Sequence, residues 1–526
     1  MTDVKMQPAA VSFLDVGSDA ALDASFHRLL AADYAVAPVI EESISSDWPG
    51  DVAGRLLLSL TRLWRSGYPT EERSRSLFAA MLGAVNAQGY FGRELGDVVD
   101  EQQLACQGWV VSGLLQYFAV TGDREAEAAA VRIVDNLMLP ALARLGSYPR
   151  HRRVEEAGAP SGTLTVEKDG WLLSSDTWCV LLALNGLVPA FLTTGRDDIR
   201  EAIEQLRDLL ASIDVREQRA QLHAVLAAGR NLAQFAEETG DPASADLAAG
   251  VYASYAHHGR TLNFATWNWF ERPDSWTEPC AIADSLGLAL ALWRLTGQQH
   301  YLADAELIEL NGLGFAQRSD GSFGLDSVAT EADPVIQPIH PDARWCCTMR
   351  GALGLVEAQD GSLSYDAPSG TLEIQIVRPG TLGIPTDAGD WRIRVEADRV
   401  GGGAVRFTVE QAPSSGFLDV IVHAPDWPAT LESHEHPRRR ERLRIPAEPG
   451  FAGSVLLERG AGRRSLPDGS TSRFQGPFLL AAAEGEDADQ RTGFPGVDRL
   501  MPLSQAPNAI GDSGEAPRYR LAFPSS

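Results

Sequence analysis

The chain has 526 residues, of which 44% are hydrophobic and 22% are charged. This length is too great for one simple core, so two or more domains are expected, and the composition excludes wholesale disorder. Asp and Glu outnumber Lys and Arg by 71 to 45, which gives a net charge of −26. Such a charge disfavours nucleic acid and anionic membrane surfaces as partners.

The N-terminal segment predicts no export signal. Residues 1–20 carry three aspartates and lack a basic stretch followed by an apolar one. The apolar run at 179–184 is soon interrupted by Pro189, so no membrane span is predicted. We therefore predict a cytoplasmic protein, in which thiols stay reduced and cysteines favour metal binding or catalysis over disulfides.

Residues 20–355 predict one helix after another. Apolar residues recur at helical spacing, for example over 109–120 and 225–236. A Thr-Gly pair and a polar residue recur at the ends of these segments, at 121–123, 194–196, 239–241 and 296–298. Glycine supplies the left-handed turn that ends a helix, and a following Asp can cap the next one. Repeated helical hairpins of this kind commonly close into a toroid, so we predict an (α/α)6 barrel (a six-hairpin toroid) over residues 1–358.

The pattern changes near residue 360 to an alternation of apolar and polar residues with period two. It recurs over 372–376, 391–395, 405–409 and 418–422, with Gly and Pro turns between the segments. This pattern predicts a β-sandwich over residues 359–485. The tail, 486–526, is rich in Gly, Pro, Asp and Ser, and we expect it to dock on the body of the protein. The fold class is therefore mainly α with a β domain.

Aromatic residues gather in loops between the predicted helices. Tyr90 lies in a Gly-Tyr-Phe-Gly sequence, and Trp267 and Trp269 lie close to Trp276. Aromatic rings exposed in a cleft can stack on sugar rings. Packing at helix ends explains the same residues equally well. We keep Tyr90, Trp267 and Trp269 as candidate carbohydrate-binding residues.

Three cysteines and a glutamate form the main candidate site. Cys346 and Cys347 are adjacent, which does not suit an ordinary structural disulfide. Glu278 and Cys280, 66 residues upstream, would complete a tetrahedral set of ligands for zinc, in which one thiolate could also act as a nucleophile. The alternative is a group of small buried side chains with a helix-capping glutamate. Because the spacing is not that of a standard zinc finger, the residues alone leave these roles open.

Two further side chains are candidates for chemistry. Glu271 lies seven residues before Glu278 and could donate a proton, although a solvated loop carboxylate is the simpler interpretation. His223 lies on an otherwise apolar helix. A buried histidine with satisfied hydrogen bonds is the usual case, but one that faces a cleft could bind a hydroxyl group or orient a catalytic group.

The order of these features resembles glycoside hydrolase family 127, the β-L-arabinofuranosidase-like proteins. The resemblance covers most of residues 85–480 and implies an (α/α)6 barrel followed by β-sandwich domains. The matching segments, in chain order, are 89–92, 222–223, 239–241, 278–280, 301–306, Asn311, 346–347 and 475–477.

The resemblance also implies roles for the candidate residues. Glu278, Cys280, Cys346 and Cys347 would bind zinc, and Cys346 would attack the anomeric carbon in a retaining double displacement through a thioglycosyl intermediate. Where the family has its acid/base glutamate, residues 261–264 contain no carboxylate. We therefore keep Glu271 as a substitute acid/base residue. Where the family has a histidine shortly before the cysteine pair, this chain has Arg344.

We predict a zinc-containing glycoside hydrolase that acts on a small glycoside or oligosaccharide, with His223 in contact with the substrate. We expect no nucleic acid or membrane partner, and a homodimer if copies of the chain associate. One alternative is a sugar epimerase or lyase on the same barrel, although such enzymes use paired histidines or a Tyr/His base and no such pair stands out. The other is a non-catalytic, zinc-containing carbohydrate-binding relative, which the missing family glutamate favours.

Overall fold

The computed structural model describes residues 11–14, 19–151, 162–399, 402–425, 427, 438–457, 460–467, 470–484, 500–511 and 514–524. Residues 1–10, where no export signal was predicted, and 486–499, in the predicted tail, lie outside this part of the chain.

The N-terminal two thirds of the chain is helical. The described residues form these α-helices: α1 (Ala20–Leu29), α2 (Val36–Ser45), α3 (Asp51–Arg65), α4 (Glu71–Ala84), α5 (Glu101–Thr121), α6 (Arg124–Ile133), α7 (Leu139–Leu142), α8 (Leu184–Thr194), α9 (Asp197–Ala211), α10 (Leu222–Thr239), α11 (Pro242–His258), α12 (Pro279–Thr296), α13 (Gln299–Leu307), α14 (Gly314–Ala316) and α15 (Cys347–Asp360). None of the helices in the described ranges is long and apolar enough to cross a bilayer.

Six of these helices contact one another in a closed cycle. The order is α3, α5, α8, α10, α12 and α15, and α15 returns to α3. These inner helices are buried on nearly all sides, as helices with apolar residues around the whole circumference should be. Outer helices α4, α6, α9, α11, α13 and α1 pack against them. In α9, Ile199, Ala202, Ile203 and Leu206 form the single apolar stripe typical of such an outer helix.

The recurrent Thr-Gly pairs lie at the ends of helices, as the sequence predicts. Gly122, Gly195, Gly240 and Gly297 follow α5, α8, α10 and α12, and each has a positive φ between 67° and 73°. A side chain is strained in this left-handed conformation, so glycine suits these positions. The aspartates that follow two of them, Asp123 and Asp241, accept hydrogen bonds from the first backbone N–H groups of α6 and α11.

Strands follow the helical part and also connect some of its helices. The described strands are β1 (Ser12–Phe13), β2 (Val99–Asp100), β3 (Leu164–Lys168), β4 (Trp171–Ser174), β5 (Trp276–Thr277), β6 (Leu325–Ser327), β7 (Val335–Ile336), β8 (Pro338–His340), β9 (Leu363–Asp366), β10 (Thr371–Ile374), β11 (Gly380–Ile384), β12 (Trp391–Glu396), β13 (Gly403–Gln411), β14 (Phe417–Pro425), β15 (Arg438–Pro446), β16 (Ala452–Leu457), β17 (Ala461–Ser465), β18 (Ser470–Gln475), β19 (Phe478–Ala483), β20 (Met501–Pro502), β21 (Tyr519–Arg520) and β22 (Phe523–Pro524).

Two of the sheets enclose a hydrophobic core of their own. One has the order β1-β11-β12-β13-β16 and the other β15-β14-β10-β9. Their shared core includes Leu372, Ile393, Phe407 and Val420, which come from the four segments with the predicted alternation. In β12, buried and exposed residues alternate without exception, because successive side chains of a strand point to opposite faces of the sheet.

The later strands pack on the helical part instead of extending this core. β17, β18 and β19 join β21, β7, β20 and β22 in a separate sheet, and Phe474 and Leu479 belong to the core of the helices. The prediction had grouped all strands up to residue 485 in one sandwich, because alternation does not reveal which core a strand faces. From the tail, Asn508 Nδ2 donates hydrogen bonds to the carbonyl oxygens of Phe315 and Gln317 at 2.7 and 2.6 Å.

Candidate functional site

A cavity of about 410 Å³ lies where the N-terminal ends of inner helices meet. Helices α3, α10, α12 and α15 line it with residues in or just before their first turns, namely Asp51, His223, Glu278 and Cys347. The N-terminal end of a helix carries a partial positive charge and unsatisfied N–H groups. The cavity therefore favours carboxylates and thiolates at its wall.

A small sheet brings together the two segments that were predicted to form one site. β5 leads directly into α12, and β8 lies shortly before α15. Both strands pair with β6, which fixes the starts of the two helices side by side. Glu278 is the N-cap residue of α12, and Cys346 is the N-cap residue of α15.

The four predicted metal ligands converge at this point. The sulfur of Cys347 lies 3.4 Å from that of Cys346 and 3.5 Å from that of Cys280. One carboxylate oxygen of Glu278 and the three sulfurs all lie within 4.8 Å of one another. Cys280 and Cys347 are buried, whereas Cys346 is partly exposed.

These distances suit coordination of a metal ion. Zinc–sulfur bonds of about 2.3 Å at the tetrahedral angle place two sulfurs about 3.8 Å apart. The observed separations are close to this value and far longer than a disulfide bond of about 2.05 Å, and no disulfide joins any of the five cysteines. The group could hold a metal ion, and three sulfurs with one carboxylate oxygen are a donor set that suits zinc.

The buried surroundings of these groups favour their protonated forms. Burial, together with the nearby Asp176 carboxylate, raises the pKa of Glu278 to about 8. Burial also raises the pKa values of the Cys280 and Cys347 thiols. A bound cation reverses this effect because it favours the anionic forms, so metal binding must release protons.

A buried arginine lies beside the cluster. Nη1 of Arg55 is 3.7 Å from the sulfur of Cys280, and Nε donates a hydrogen bond of 2.7 Å to Asp51 Oδ2. The guanidinium group lies over the ring of Trp109, 4.1 Å from its centroid. Arg55 is therefore held from two sides and directs one N–H group at the sulfur.

Three further carboxyl groups line the cavity: those of Glu42, Asp51 and Asp176. Asp51 is buried, and burial raises the pKa of its carboxyl group even though Arg55 opposes that shift. Among the described residues, Oδ1 of Asp51 has no hydrogen-bond partner. Glu42 accepts a hydrogen bond of 2.8 Å from Arg344, the residue that stands in place of the family histidine. Burial thus favours the protonated form of Asp51, and one of its carboxyl oxygens is uncommitted.

His223 lines the cavity, as the prediction of a substrate contact requires. Its Nδ1 lies 2.8 Å from Oδ2 of Asp284, and among the described residues its Nε2 has no partner. Burial lowers the pKa of the His223 imidazole. Burial alone would raise the pKa of Asp284, but Arg350, Arg230 and His223 together lower it well below its usual range.

Aromatic and amide side chains complete the wall. Trp48, Trp276 and Trp345 line the cavity, and Trp345 is 44% exposed. The amide of Asn268, oriented to satisfy both neighbours, donates a hydrogen bond to the Glu278 carboxylate and accepts one from the Trp276 indole N–H. Apolar ring faces next to polar groups are the surface that a sugar ring requires.

Glu271 does not lie in this site. Its side chain is 42% exposed and forms an ion pair of 2.6 Å with Arg216. It is absent from the wall of the cavity, because it occupies a surface turn with a positive φ of 57°. The prediction that Glu271 is the acid/base residue is corrected accordingly.

The three aromatic residues predicted to bind carbohydrate also lie outside the cavity wall. Tyr90 is fully buried, and its hydroxyl accepts a hydrogen bond from the backbone N–H of Leu95. Trp269 is buried and packs edge-to-face on Trp276, while Trp267 packs against the helical core. Tyr90, Trp267 and Trp269 are therefore packing residues. Other tryptophans, Trp48, Trp276 and Trp345, line the cavity.

No prediction from the sequence included Asp51, Arg55 or Asp176. A signal for two of them exists, because Asp51 and Arg55 lie four residues apart on a helix whose neighbouring residues are almost all buried. A charged pair on a buried helical face needs a specific partner. No comparable signal marks Asp176, which lies two residues after the end of β4.

Comparisons with known proteins extend this description. No family model and no curated protein matches the chain. Among solved structures, the chain is similar to Ara127N, a GH127 β-L-arabinofuranosidase from Geobacillus stearothermophilus T6, with 14% identity, a TM-score of 0.65, and coverage of 91% of this chain and 87% of that one.

Two further structures share the fold. The GH127 β-arabinofuranosidase BT3674 has 12% identity and a TM-score of 0.68, with 98% of this chain and 97% of that chain covered. A protein described as a glycoside hydrolase has 12% identity and a TM-score of 0.67, with coverages of 98% and 96%. The chain therefore has the fold of these proteins along almost its whole length.

Proposed function

We propose that this protein is a retaining glycoside hydrolase in which Cys346 is the nucleophile at a zinc site. The observation that carries the proposal is the convergence of Glu278, Cys280, Cys346 and Cys347 beside a cavity whose wall also contains the buried carboxyl group of Asp51. The shared fold with GH127 structures supports it. We also propose that the closed cycle of helices is an (α/α)6 barrel and that the two sheets with their own core form a β-sandwich.

The proposed reaction requires a nucleophilic sulfur. A zinc ion bound by the four side chains would keep the Cys346 sulfur in its thiolate form at neutral pH. Cys346 is the natural nucleophile among the three cysteines, because Cys280 and Cys347 are buried and Cys346 is partly exposed at the cavity wall.

Asp51 replaces the missing family glutamate in this proposal. In the first step the Cys346 sulfur forms a bond to the anomeric carbon, the bond from that carbon to the leaving oxygen breaks, and Asp51 gives its proton to that oxygen. In the second step the Asp51 carboxylate takes a proton from water. The water oxygen attacks the anomeric carbon, and the carbon–sulfur bond breaks to restore Cys346.

The cavity volume and wall favour a small substrate. About 410 Å³ is at the lower end of the range for ligand pockets and accommodates about one sugar unit. His223 and Asn268 provide polar contacts, and Trp48, Trp276 and Trp345 provide apolar ones. The acidic wall disfavours anionic sugars, so we propose a neutral terminal sugar as the substrate. The cytoplasmic location and the homodimer stay predictions.

The decisive experiment is a screen of aryl glycosides, arabinofuranosides included, with the zinc-loaded protein and with Cys346→Ser. We expect hydrolysis by the wild type, a loss of at least about 10³-fold in Cys346→Ser, and no comparable loss in Cys106→Ser, which changes a buried cysteine outside the cluster. A slow substrate should leave a sugar adduct on Cys346 that peptide mass spectrometry detects. Full activity of Cys346→Ser, or product that is isomerised and not hydrolysed, would contradict the proposal.

A further inference from the structure

The three cysteines of the cluster have different surroundings, and Arg55 accounts for much of the difference. It contacts the sulfur of Cys280 at 3.7 Å, and no hydrogen bond from Arg55 to Cys346 or Cys347 is present. Its side chain is only 3% exposed. Its charge acts on the whole cluster, but its hydrogen bond is directed at the Cys280 sulfur, and in this buried position solvent cannot replace it.

The negative charge of the four ligand groups explains why a cationic contact is favourable here. Three thiolates and one carboxylate carry four negative charges, of which a divalent cation cancels two. Excess charge is costly to bury, and it is tolerated only where a counter-charge or hydrogen bonds compensate it. Among the described residues that line the cavity, Arg55 is the only lysine or arginine.

The position of Arg55 is fixed before any ligand binds. Asp51 holds its Nε, and the Trp109 ring lies against the flat face of the guanidinium group at 4.1 Å. A cation over an indole ring is favourable, and more so when both groups are buried. Arg55 therefore requires little reorganisation to donate to the sulfur.

We infer that Arg55 is a positioning residue that makes the three cysteines unequal. It hydrogen-bonds to Cys280, draws electron density from that sulfur, and keeps Cys280 a permanent ligand. Cys346 lacks this contact and is left as the more nucleophilic and more accessible sulfur. The inference rests on the metal site of the proposed function, and it concerns which sulfur reacts and how tightly the ion is held.

The test compares Arg55→Gln with Arg55→Lys in the full-length protein. Zinc affinity is measured by competition with a chromophoric chelator, and the order of cysteine alkylation by iodoacetamide is mapped by peptide mass spectrometry. In the wild type we expect Cys346 to react first. In Arg55→Gln we expect zinc affinity to fall by about 10- to 100-fold and Cys280 to become alkylated at a rate comparable to Cys346. Arg55→Lys keeps the charge and should retain more of the affinity.

Arg378→Gln is the matched control, because Arg378 is also 3% exposed and pairs with a buried carboxylate, Glu309, away from the cavity wall. Unchanged affinity and alkylation order in Arg55→Gln would overturn the inference, and so would equal changes in Arg378→Gln. If the wild type binds no zinc, the metal site of the proposed function falls as well. If the wild type binds zinc and hydrolyses glycosides while Arg55→Gln behaves identically, only the role of Arg55 is wrong.

Discussion

The two ends of the helical ring are made from the same helices but differ in the balance of acidic and basic side chains. At the N-terminal ends, one arginine, Arg55, lines the cavity together with four carboxyl groups, those of Glu42, Asp51, Asp176 and Glu278, and Arg344 pairs with Glu42 from outside the cavity wall. Farther along the helices, Arg62, Arg230 and Arg350 line a crevice.

In that crevice each arginine has a carboxylate partner. Arg62 pairs with Asp360, Arg230 pairs with Asp284, and Arg350 pairs with Asp284 and Glu357. Balanced ion pairs are what a structural region requires, whereas an excess of acidic groups leaves a place for a cation and for proton transfer. The comparison therefore supports the proposed site at the cavity end, and it predicts that the two ends respond differently to substitution.

The largest effect is expected from loss of a metal ligand at the cavity end. Cys280→Ala removes one of three sulfurs, so zinc content measured by elemental analysis should fall to near zero and hydrolysis should be abolished. Cys106→Ala changes an equally buried cysteine on α5 and should leave both quantities unchanged. If Cys280→Ala still binds a full complement of zinc, Cys280 is not a required ligand, and the proposed metal site at the cavity end is wrong.

The next effect concerns proton transfer by Asp51. Asp51→Asn keeps the shape of the side chain but cannot donate the proton, so we expect kcat to fall by about 10²- to 10⁴-fold. Aryl glycosides with a good leaving group need less protonation, and their loss should be smaller. Glu271→Gln is the control and should retain wild-type kcat, because Glu271 is an exposed residue away from the cavity wall. The reverse result, with Glu271 essential and Asp51 dispensable, would restore the original prediction.

Substitution of a carboxylate that pairs with the crevice arginines should lower the stability of the fold. Asp284 is fully buried and pairs with Arg230 and Arg350. Asp284→Asn removes the carboxylate charge that faces the buried Arg350 and the partly buried Arg230, which costs about 3–5 kcal/mol of the free energy of unfolding even though Arg350 keeps Glu357 as a partner. Urea denaturation measures this loss. Asp360→Asn, at an exposed partner of Arg62, should cost no more than about 1 kcal/mol.

The smallest effect is a pH dependence that arises from His223. Burial lowers the pKa of this imidazole below its usual value of 6.5. Below about pH 6.5 the unfolded chain takes up a proton that the folded protein refuses, so stability is lost as the pH falls through this region, by at most about 1.4 kcal/mol per pH unit. His223→Gln should flatten the dependence of unfolding free energy on pH between 7 and 5. His257→Gln, at an exposed position, should leave the slope as it is.

Much of the architecture could be predicted because it follows from local patterns. The Thr-Gly pairs mark helix ends through the left-handed turn that glycine allows, and alternation marks the strands of the two-sheet core. The sequence could not reveal that β17 to β19 pack on the helices, since a strand's apolar face has the same pattern whichever core it meets.

The site was predictable only in part for a similar reason. The cysteine pair and the Glu-x-Cys sequence indicated four side chains in advance, and the structure brings these together in a group that could hold a metal ion. The position of Glu271 depends on the path of one surface turn, and that path places the side chain beside Arg216 and not in the cavity. Asp51 lies on α3, more than 200 residues before Glu278 and Cys280 at the start of α12. Only the closure of the helical ring brings α3 close to these two residues.

The contact between His223 and Asp284 determines what kind of group a ligand can present to this side of the cavity. Because the carboxylate receives the Nδ1 hydrogen, the neutral ring is held in the tautomer whose Nε2 carries a lone pair. The histidine therefore accepts a hydrogen from a sugar hydroxyl and offers none. A deoxy or O-methyl sugar that lacks a hydrogen at this point would leave the lone pair unsatisfied and should bind less tightly than the parent sugar.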